Sequence, residues 1–317
     1  AAIGKPLTIW KENYNQYRPY LGLDDCVRSF DHFLSSDHSN KVFNVLTNNY
    51  KLTTIVEIIQ KCIDLKLNMV DTPLINQYSY LVNYETLLNT GSGGTGKLAT
   101  EILKNNTHYE IHAPTKSEMD ITNIDDLRSY INEVKPDIFL HPAALTRPMV
   151  MHDENPDISI RTNIIGTSNV VLACMEKNIK MVYISTDYVY PGLVGEYKED
   201  DYLLPVNKYA WSKMGGECAV KLYDNSLILR CCISDKPFSH PKAFMDVTKS
   251  MIYNTDAAKI ILKLLNEFGV INVGGKSQTV YEFVKETNPD IDTISIKDLG
   301  DVELAEDSSM CIDKMNG

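Results

Sequence analysis

From about residue 94 onward the sequence predicts an α/β fold, a doubly wound parallel sheet with helices on both faces. Three observations carry this. Short apolar runs alternate with stretches of helical periodicity, the pattern of strands joined by crossover helices. Those runs are near-continuously apolar, as strands covered on both sides are. A glycine-rich turn opens the first helix of the series. In order, the turn Gly93-Gly-Thr-Gly-Lys-Leu-Ala99 leads into a helix through Lys104, and Tyr109–Ala113 reads as a strand. A helix over Asp125–Glu133 has Asn123 or Asp125 as its cap. Asp137–His141 is a buried strand, Ile160–Asn178 a helix, Lys180–Ser185 a strand, Tyr209–Tyr223 a helix and Ser226–Arg230 a strand.

At 317 residues the chain is longer than one ordinary domain. Its composition, 44% hydrophobic and 23% charged, excludes wholesale disorder. The net charge of −11 argues against a nucleic-acid binder working through a broad basic surface. No apolar run reaches the roughly 18–20 residues that span a bilayer, and the opening Ala-Ala-Ile-Gly-Lys-Pro lacks the pattern of a secretory leader. Seven scattered cysteines without a repeated CxxC read as reduced thiols, so a cytoplasmic location is expected. His141 and His152 are too isolated to suggest a metal site.

The first ninety residues begin differently. A strand at Leu7–Trp10, a helix at Asp24–Leu34, a strand at Val42–Leu46 and a helix at Thr53–Cys62 are expected there. Two of these blocks parallel stretches near the C-terminus in the same order: Tyr20–Phe30 matches Met251–Ile261, and Val42 onward matches Val270 onward. This favours an internal repeat.

Two sets of residues carry chemistry. Gly93, Gly96 and Ala99 have the spacing that lets backbone amides and a helix N-terminus approach a pyrophosphate. Such a turn should follow an apolar strand, yet Asn89-Thr-Gly-Ser precedes it and the nearest apolar pair is Leu87-Leu88. Either that strand is short and displaced or sequence is missing there. The second set is more specific. Ser185-Thr-Asp-Tyr-Val-Tyr190 ends a strand, where ligands bind in such sheets, and Tyr209 and Lys213 stand four apart on the next helix. A lysine ammonium beside a phenol is expected to lower its pKa toward a useful acid–base range.

These motifs resemble the extended short-chain dehydrogenase/reductase superfamily, and residues 93–317 look most like dTDP-4-dehydrorhamnose reductases. The resemblance rests on the glycine turn, Asp120-Ile-Thr-Asn123, Pro142-Ala-Ala-Leu-Thr146, Asn163 with Gly166-Thr167, Ser185–Gly192, Pro205–Lys213, Gly216-Glu217 and the tail Asp307–Met315. It implies a Rossmann-like core with a small substrate-binding lobe. Thr186 would hydrogen-bond the substrate carbonyl, Tyr209 would protonate its oxygen, and Lys213 would hold the nicotinamide ribose. Gly93, Thr95, Gly96, Lys97 and Leu98 would cradle the dinucleotide, Asp120 and Ile121 would flank its adenine, and Ala143, Ala144 and Leu145 would line its groove. Thr146, Asp187 and Tyr188 fall to the substrate. After the second strand the chain has Thr115-Lys116 where an NAD site usually carries an acid. Lys116 therefore leans the choice between NADP and NAD toward NADP. Cys231-Cys-Ile-Ser234 departs from the aromatic that such reductases often place after this strand, which leaves the sugar open.

Residues 1–90 resemble the C-terminal, substrate-binding part of a nucleotide-sugar epimerase or dehydratase of the same superfamily. Gly4–Trp10, Gln16–Tyr20 and Leu23–Val27 carry this, with Val82–Asn89 as its closing segment. Arg18 would grip a nucleotide diphosphate, as a guanidinium fork suits; a surface ion pair is the alternative. The expected organisation is thus an epimerase-like fragment, 1–90, and an NAD(P)-binding reductase domain, 91–317. The implied function is reduction of a 4-keto nucleotide sugar with NAD(P)H, by a protein that meets neither nucleic acid nor membrane and is compatible with a homodimer. The alternatives are an epimerase, a fused epimerase-reductase, or a non-catalytic dinucleotide-binding subunit like that of methionine adenosyltransferase.

Overall fold

The computed structural model describes residues 7–10, 17–20, 48–62, 67–70, 86–89, 97–146, 149–299 and 304–317. Two compact units divide between Leu81 and Val82. In the first, the described elements are β1 (Leu7–Trp10), β2 (Tyr17–Tyr20), β3 (Asn48–Lys51), α1 (Leu52–Cys62) and β4 (Leu67–Val70). β1 pairs in parallel with β4, and β2 antiparallel with β3. The expected helix at Asp24–Leu34 and strand at Val42–Leu46 lie outside the described residues, as does most of the N-terminal half of the repeat.

The second unit contains β5 (Thr86–Asn89), α2 (Lys97–Asn105), β6 (Glu110–His112), α3 (Ile124–Val134), β7 (Ile138–His141), α4 (Thr167–Lys177), β8 (Lys180–Thr186), α5 (Lys208–Val220), β9 (Ser226–Cys231), α6 (Asn254–Leu264), β10 (Gly269–Val273) and α7 (Val280–Lys285). Six strands form one parallel sheet in the order β10-β9-β8-β7-β5-β6. The apolar pair Leu87-Leu88 is therefore the first strand of the sheet in chain order, short but paired on both sides, between β6 and β7. This moves the division of the chain ahead of residue 90: Thr86–Asn89 does not close the N-terminal fragment, because its backbone pairs with strands of the second unit. From β5 the chain steps outward to β6 and then back across to β7. That reversal opens a crevice at the carboxyl ends of β5 and β7.

Period-two alternation divides the core between the two faces of the sheet. Leu140, Val182, Ile184, Leu227 and Leu229 pack with Ile102 of α2 and Ala257, Ala258 and Ile261 of α6. Phe139, Met181, Tyr183 and Ile228 face the other way, onto Leu127 and Ile131 of α3, Val170 and Cys174 of α4 and Val220 of α5. α3 starts where Asn123 accepts a hydrogen bond from the Asp125 amide at 3.1 Å. The helix expected over Ile160–Asn178 is wound as a π-helix at Ile160–Gly166 before α4. α5 begins with Asn207 capping the Ala210 amide at 2.8 Å, which puts Tyr209 in its first turn and Lys213 one turn later.

A smaller lobe follows β9. Its core is Ala243, Val247, Tyr253, Val280, Phe283 and Val284, tied together by three short strand pairs. The tail then returns to the loop after β8 through the bridge Tyr197–Met310, and to the lobe through Thr248–Asp307. Gly192 and Gly195 allow this approach. Both have positive φ, and a Cβ on Gly192 would lie 2.2 Å from that of Ala305. Among the described residues no helix is long and apolar enough to cross a membrane.

Candidate active site

The carboxyl ends of β7, β8 and β9 open into a cavity of about 1180 Å³. That exceeds the roughly 300–1,000 Å³ of a single small-ligand pocket, so it has space for two molecules side by side. At one end are Lys97, Leu98 and Ala99 at the N-terminus of α2, with Ala143 and Ala144 beyond β7. In the middle are Thr186, Asp187, Tyr188 and Tyr209, and toward the lobe lie Cys231, Cys232, Phe238 and Lys249. Thr146 and Met149 also line it. A helix N-terminus beside small residues suits a phosphate-bearing ligand, because its amides and dipole favour negative charge at close approach.

Tyr209 is half-buried and lines the cavity together with Thr186. Burial pushes its pKa well up, and Asp187, Tyr188 and Cys231 add to the rise, against the lowering pull of Thr186. The expected net lowering by Lys213 is thus not what the structure has. The ammonium of Lys213 lies 4.2 Å from the centre of the Tyr183 ring, and burial pushes its own pKa down to about 7, against the upward pull of Glu217 and Cys231. At neutral pH Tyr209 is a protonated phenol, a donor rather than a base.

Around this pair the polar groups are closely matched. Asn163, on the π-helix, donates to the Leu145 carbonyl at 3.0 Å and to Ser212 Oγ at 2.8 Å, and accepts from the Leu145 amide at 2.7 Å. It fixes the loop after β7 against α5. Beneath, Arg230 of β9 and Glu217 of α5 form a fully buried ion pair at 2.5 Å. Ser185 donates to the same carboxylate at 2.9 Å, and Arg230 reaches Tyr190 Oη at 2.8 Å. On the other side, Asp187 meets Lys249 Nζ at 2.5 Å and Ser308 Oγ at 2.8 Å. His152 is buried with its ring edge-on to Tyr209, 5.2 Å between centres, and Nδ1 at 2.6 Å from Ser159 Oγ.

The structure therefore gathers Lys97, Leu98, Ala143, Ala144, Thr146, Thr186, Asp187, Tyr188 and Tyr209 around one cavity. Other expected site residues stand apart from its lining. Leu145 is engaged by Asn163, Ile121 is buried against Gly166, and Lys213 is buried behind the wall. Asp120 accepts from the Thr122 amide and hydroxyl, and Lys116 is an exposed lysine whose ammonium lies 3.6 Å from that carboxylate. Asp187 is not open to a substrate in the way expected, since both its oxygens already accept from the protein. Gly93, Thr95 and Gly96 lie outside the described residues. Arg18 falls in β2 of the other unit, paired with Tyr50. Lys249 has no local motif to announce it, Ser308 lies in the family-like tail without a role of its own assigned there, and His152 reads in sequence as an isolated histidine. Among the described residues no group of His, Cys, Asp and Glu is arranged to hold a metal.

Comparison with known proteins places this geometry. The model of the RmlD substrate binding domain matches residues 86–247. A dTDP-4-dehydrorhamnose reductase from Aggregatibacter actinomycetemcomitans is 35% identical over 147 residues, 45% of this chain and 50% of that protein. Methionine adenosyltransferase 2 subunit beta from Pongo abelii is 26% identical over 153 residues, 46% of each chain. The chain thus spans about half the length of the curated relatives it matches. Among solved structures, dTDP-4-dehydrorhamnose reductase from Bacillus anthracis, in complex with NADP, superposes with a TM-score of 0.64 at 26% identity, covering 74% of this chain and 92% of that one. UDP-glucose 4-epimerase from Thermus thermophilus, at 18% identity and a TM-score of 0.56, shares the fold.

Proposed function

The chain belongs to the RmlD substrate binding domain family, and we propose on that premise that it reduces a 4-keto nucleotide sugar with NADPH or NADH. The observation that carries this is Tyr209, a phenol held protonated beside Thr186 on the wall of a cavity large enough for two ligands. The N-terminus of α2 with Ala143 and Ala144 would hold the dinucleotide. Once bound, that cofactor supplies the hydride for the carbonyl carbon. Tyr209 would deliver its proton to the carbonyl oxygen, completing the alcohol, while Thr186 would hydrogen-bond that oxygen. Tyr188, Phe238 and Lys249 form the side of the cavity left for the sugar.

NADP is favoured over NAD by Lys116, the cation of the loop after β6, and by the NADP bound to the similar Bacillus anthracis enzyme. We place the protein in the cytoplasm, where the free thiols Cys174, Cys218, Cys231, Cys232 and Cys311 stay reduced. The likeness to methionine adenosyltransferase 2 subunit beta supports a second reading, a dinucleotide-binding regulatory subunit. Measured cofactor consumption with a panel of 4-keto nucleotide sugars separates the two. Turnover of one of them is expected, whereas tight dinucleotide binding without turnover of any favours the regulatory reading.

A further inference from the structure

We propose that Tyr183 is a positioning residue for Lys213: the face of its ring is the seat of the lysine's ammonium, and its hydroxyl keeps that ring in place. The kinetic consequence rests on the reductase reading, whereas the seat itself rests on contacts that hold whatever the substrate.

An ammonium taken out of water needs a carboxylate, a set of acceptors or an aromatic face to offset its lost hydration. Lys213 is buried on α5, and Glu217, one turn further on, is taken by Arg230 at 2.5 Å and by Ser185 at 2.9 Å. What Lys213 has is a ring: its Nζ lies 4.2 Å from the centre of Tyr183, well inside the distance at which the negative face of an aromatic attracts a cation. Tyr183 is fully buried in β8, and its hydroxyl donates to the backbone carbonyl of the same lysine at 3.0 Å. One side chain thus meets Lys213 at both ends. Gly216 leaves the space for that hydroxyl, since a Cβ there would lie 2.7 Å from Tyr183 Oη. The His141 ring, 5.7 Å away between centres and itself 3.1 Å from Thr167 Oγ1 through Nε2, props the tyrosine from β7.

Titratable groups surround Lys213 on every side: Glu217 and Tyr209 on α5, Cys231 on β9 with Asp187 close to it, His141 on β7 and Tyr183 itself on β8. Burial takes the His141 imidazole down to about 3 and pushes the phenols of Tyr183 and Tyr209 and the thiol of Cys231 well up, so all four are neutral between about pH 5 and 9. Glu217 and Asp187 are held in ion pairs with Arg230 and Lys249. Within this set Lys213 is the group whose charge changes near neutrality. When Tyr209 gives up its proton, the phenolate stands one helical turn from Lys213, about 6 Å along the axis, and an ammonium there stabilises it. The ring of Tyr183 sets the pH up to which that ammonium exists.

Two variants of the full chain separate a seat from a filler. Tyr183→Phe keeps the ring and loses the hydroxyl; Tyr183→Leu keeps apolar bulk and loses the ring. Urea titrations between pH 5 and 10 need no substrate. The parent gains stability as the pH rises above about 7, where the folded lysine has released its proton and the unfolded one retains it. In Tyr183→Leu that gain is expected to begin about one pH unit lower, because the desolvated ammonium has lost its ring face. In Tyr183→Phe it should begin where the parent's does, and the difference should vanish in all three once Lys213→Met is added. A gain that begins at the same pH with leucine as with tyrosine overturns the proposal. If the leucine variant does not fold, phenylalanines of increasing ring fluorination at position 183 keep the shape and weaken the negative face. A graded lowering of the onset is then expected, and no trend overturns the proposal. With a 4-keto nucleotide sugar that the parent reduces, the alkaline limb of kcat should move down by the same interval in the leucine variant, on the order of a 10-fold loss at pH 8 with KM nearly unchanged. A loss that is equal at every pH marks a filler and overturns the proposal. If the parent reduces no such sugar, the reductase reading falls while the stability profiles still judge the seat.

Discussion

Lys213 sits where two demands on one residue collide. Its ammonium is buried, and the loss of hydration pushes its pKa to about 7 from an ordinary 10.5. Between those pH values the unfolded chain binds a proton that the native chain releases, so native stability rises with pH across the window. Below about pH 7 both states are protonated and the full cost of burying the charge is present. Lys213→Met is therefore expected to stabilise the fold at pH 7, by on the order of a few kcal/mol, and to flatten the rise toward pH 9. Urea titrations of parent and variant at several pH values measure both effects, and parallel pH slopes would sink the assignment. The same variant, like Tyr209→Phe, should lose on the order of 10²–10⁴ in turnover with the fold intact. Parental rates in both would remove the catalytic assignment and strengthen the regulatory one. At Lys116 the issue is selectivity. An ammonium after β6 attracts a ribose 2′-phosphate and a carboxylate repels it. NADPH should serve at least as well as NADH, and Lys116→Glu, which also sets two acids side by side with Asp120, should shift kcat/KM toward NADH. A parent that prefers NADH and a variant that does not differ would leave Lys116 a solvated lysine.

Among the elements, α5 is held closely against its neighbours. A Cβ added to Gly216 would come within 2.7 Å of both the Asn163 carbonyl and Tyr183 Oη, and neither belongs to a flexible side-chain end. Gly216→Ala should displace the helix from the π-helix and β8, at a cost of about 1–3 kcal/mol. Turnover should fall with it, because Tyr209 and Lys213 ride on the same helix. Thermal melts and kcat on one preparation check this; an unshifted melting point would mean that the helix accommodates the methyl. The elements also differ in how plainly the sequence declares them. β7, β8 and β9 are legible because runs such as Ile138-Phe-Leu140 and Met181-Val-Tyr-Ile184 have no stable place except between two layers of helix. α5 is legible through its cap and the four-residue spacing of Tyr209 and Lys213. β5 is not, since four residues with one apolar pair take their place from the pairing of β6 and β7 rather than from their own pattern. Nor does the sequence show the π-helix, whose wider turn serves a side chain, Asn163, that bonds residues 18 and 49 positions away. The partnership of Lys249 and Ser308 with Asp187 is hidden for the same reason, since it reaches across 62 and 121 residues.

At the level of the whole molecule the chain combines a unit with a six-stranded parallel sheet and a unit whose described strands form separate two-stranded pairs. A dinucleotide needs the crevice that a reversing parallel sheet provides. One dinucleotide per chain is therefore expected by calorimetric titration, and a stoichiometry of two would show that residues 1–81 hold a site of their own. The ion pair of Glu217 and Arg230 has a consequence that reaches beyond any single molecule. Loss of either partner strands a buried charge and costs about 3–5 kcal/mol, a large part of the stability of an ordinary domain, whereas exchange of both for well-packed apolar residues can be neutral. Descendants of this chain are thus confined to two islands of sequence, one with both charges and one with neither. A lineage crosses between them only after stabilising substitutions elsewhere have made the intermediate survivable.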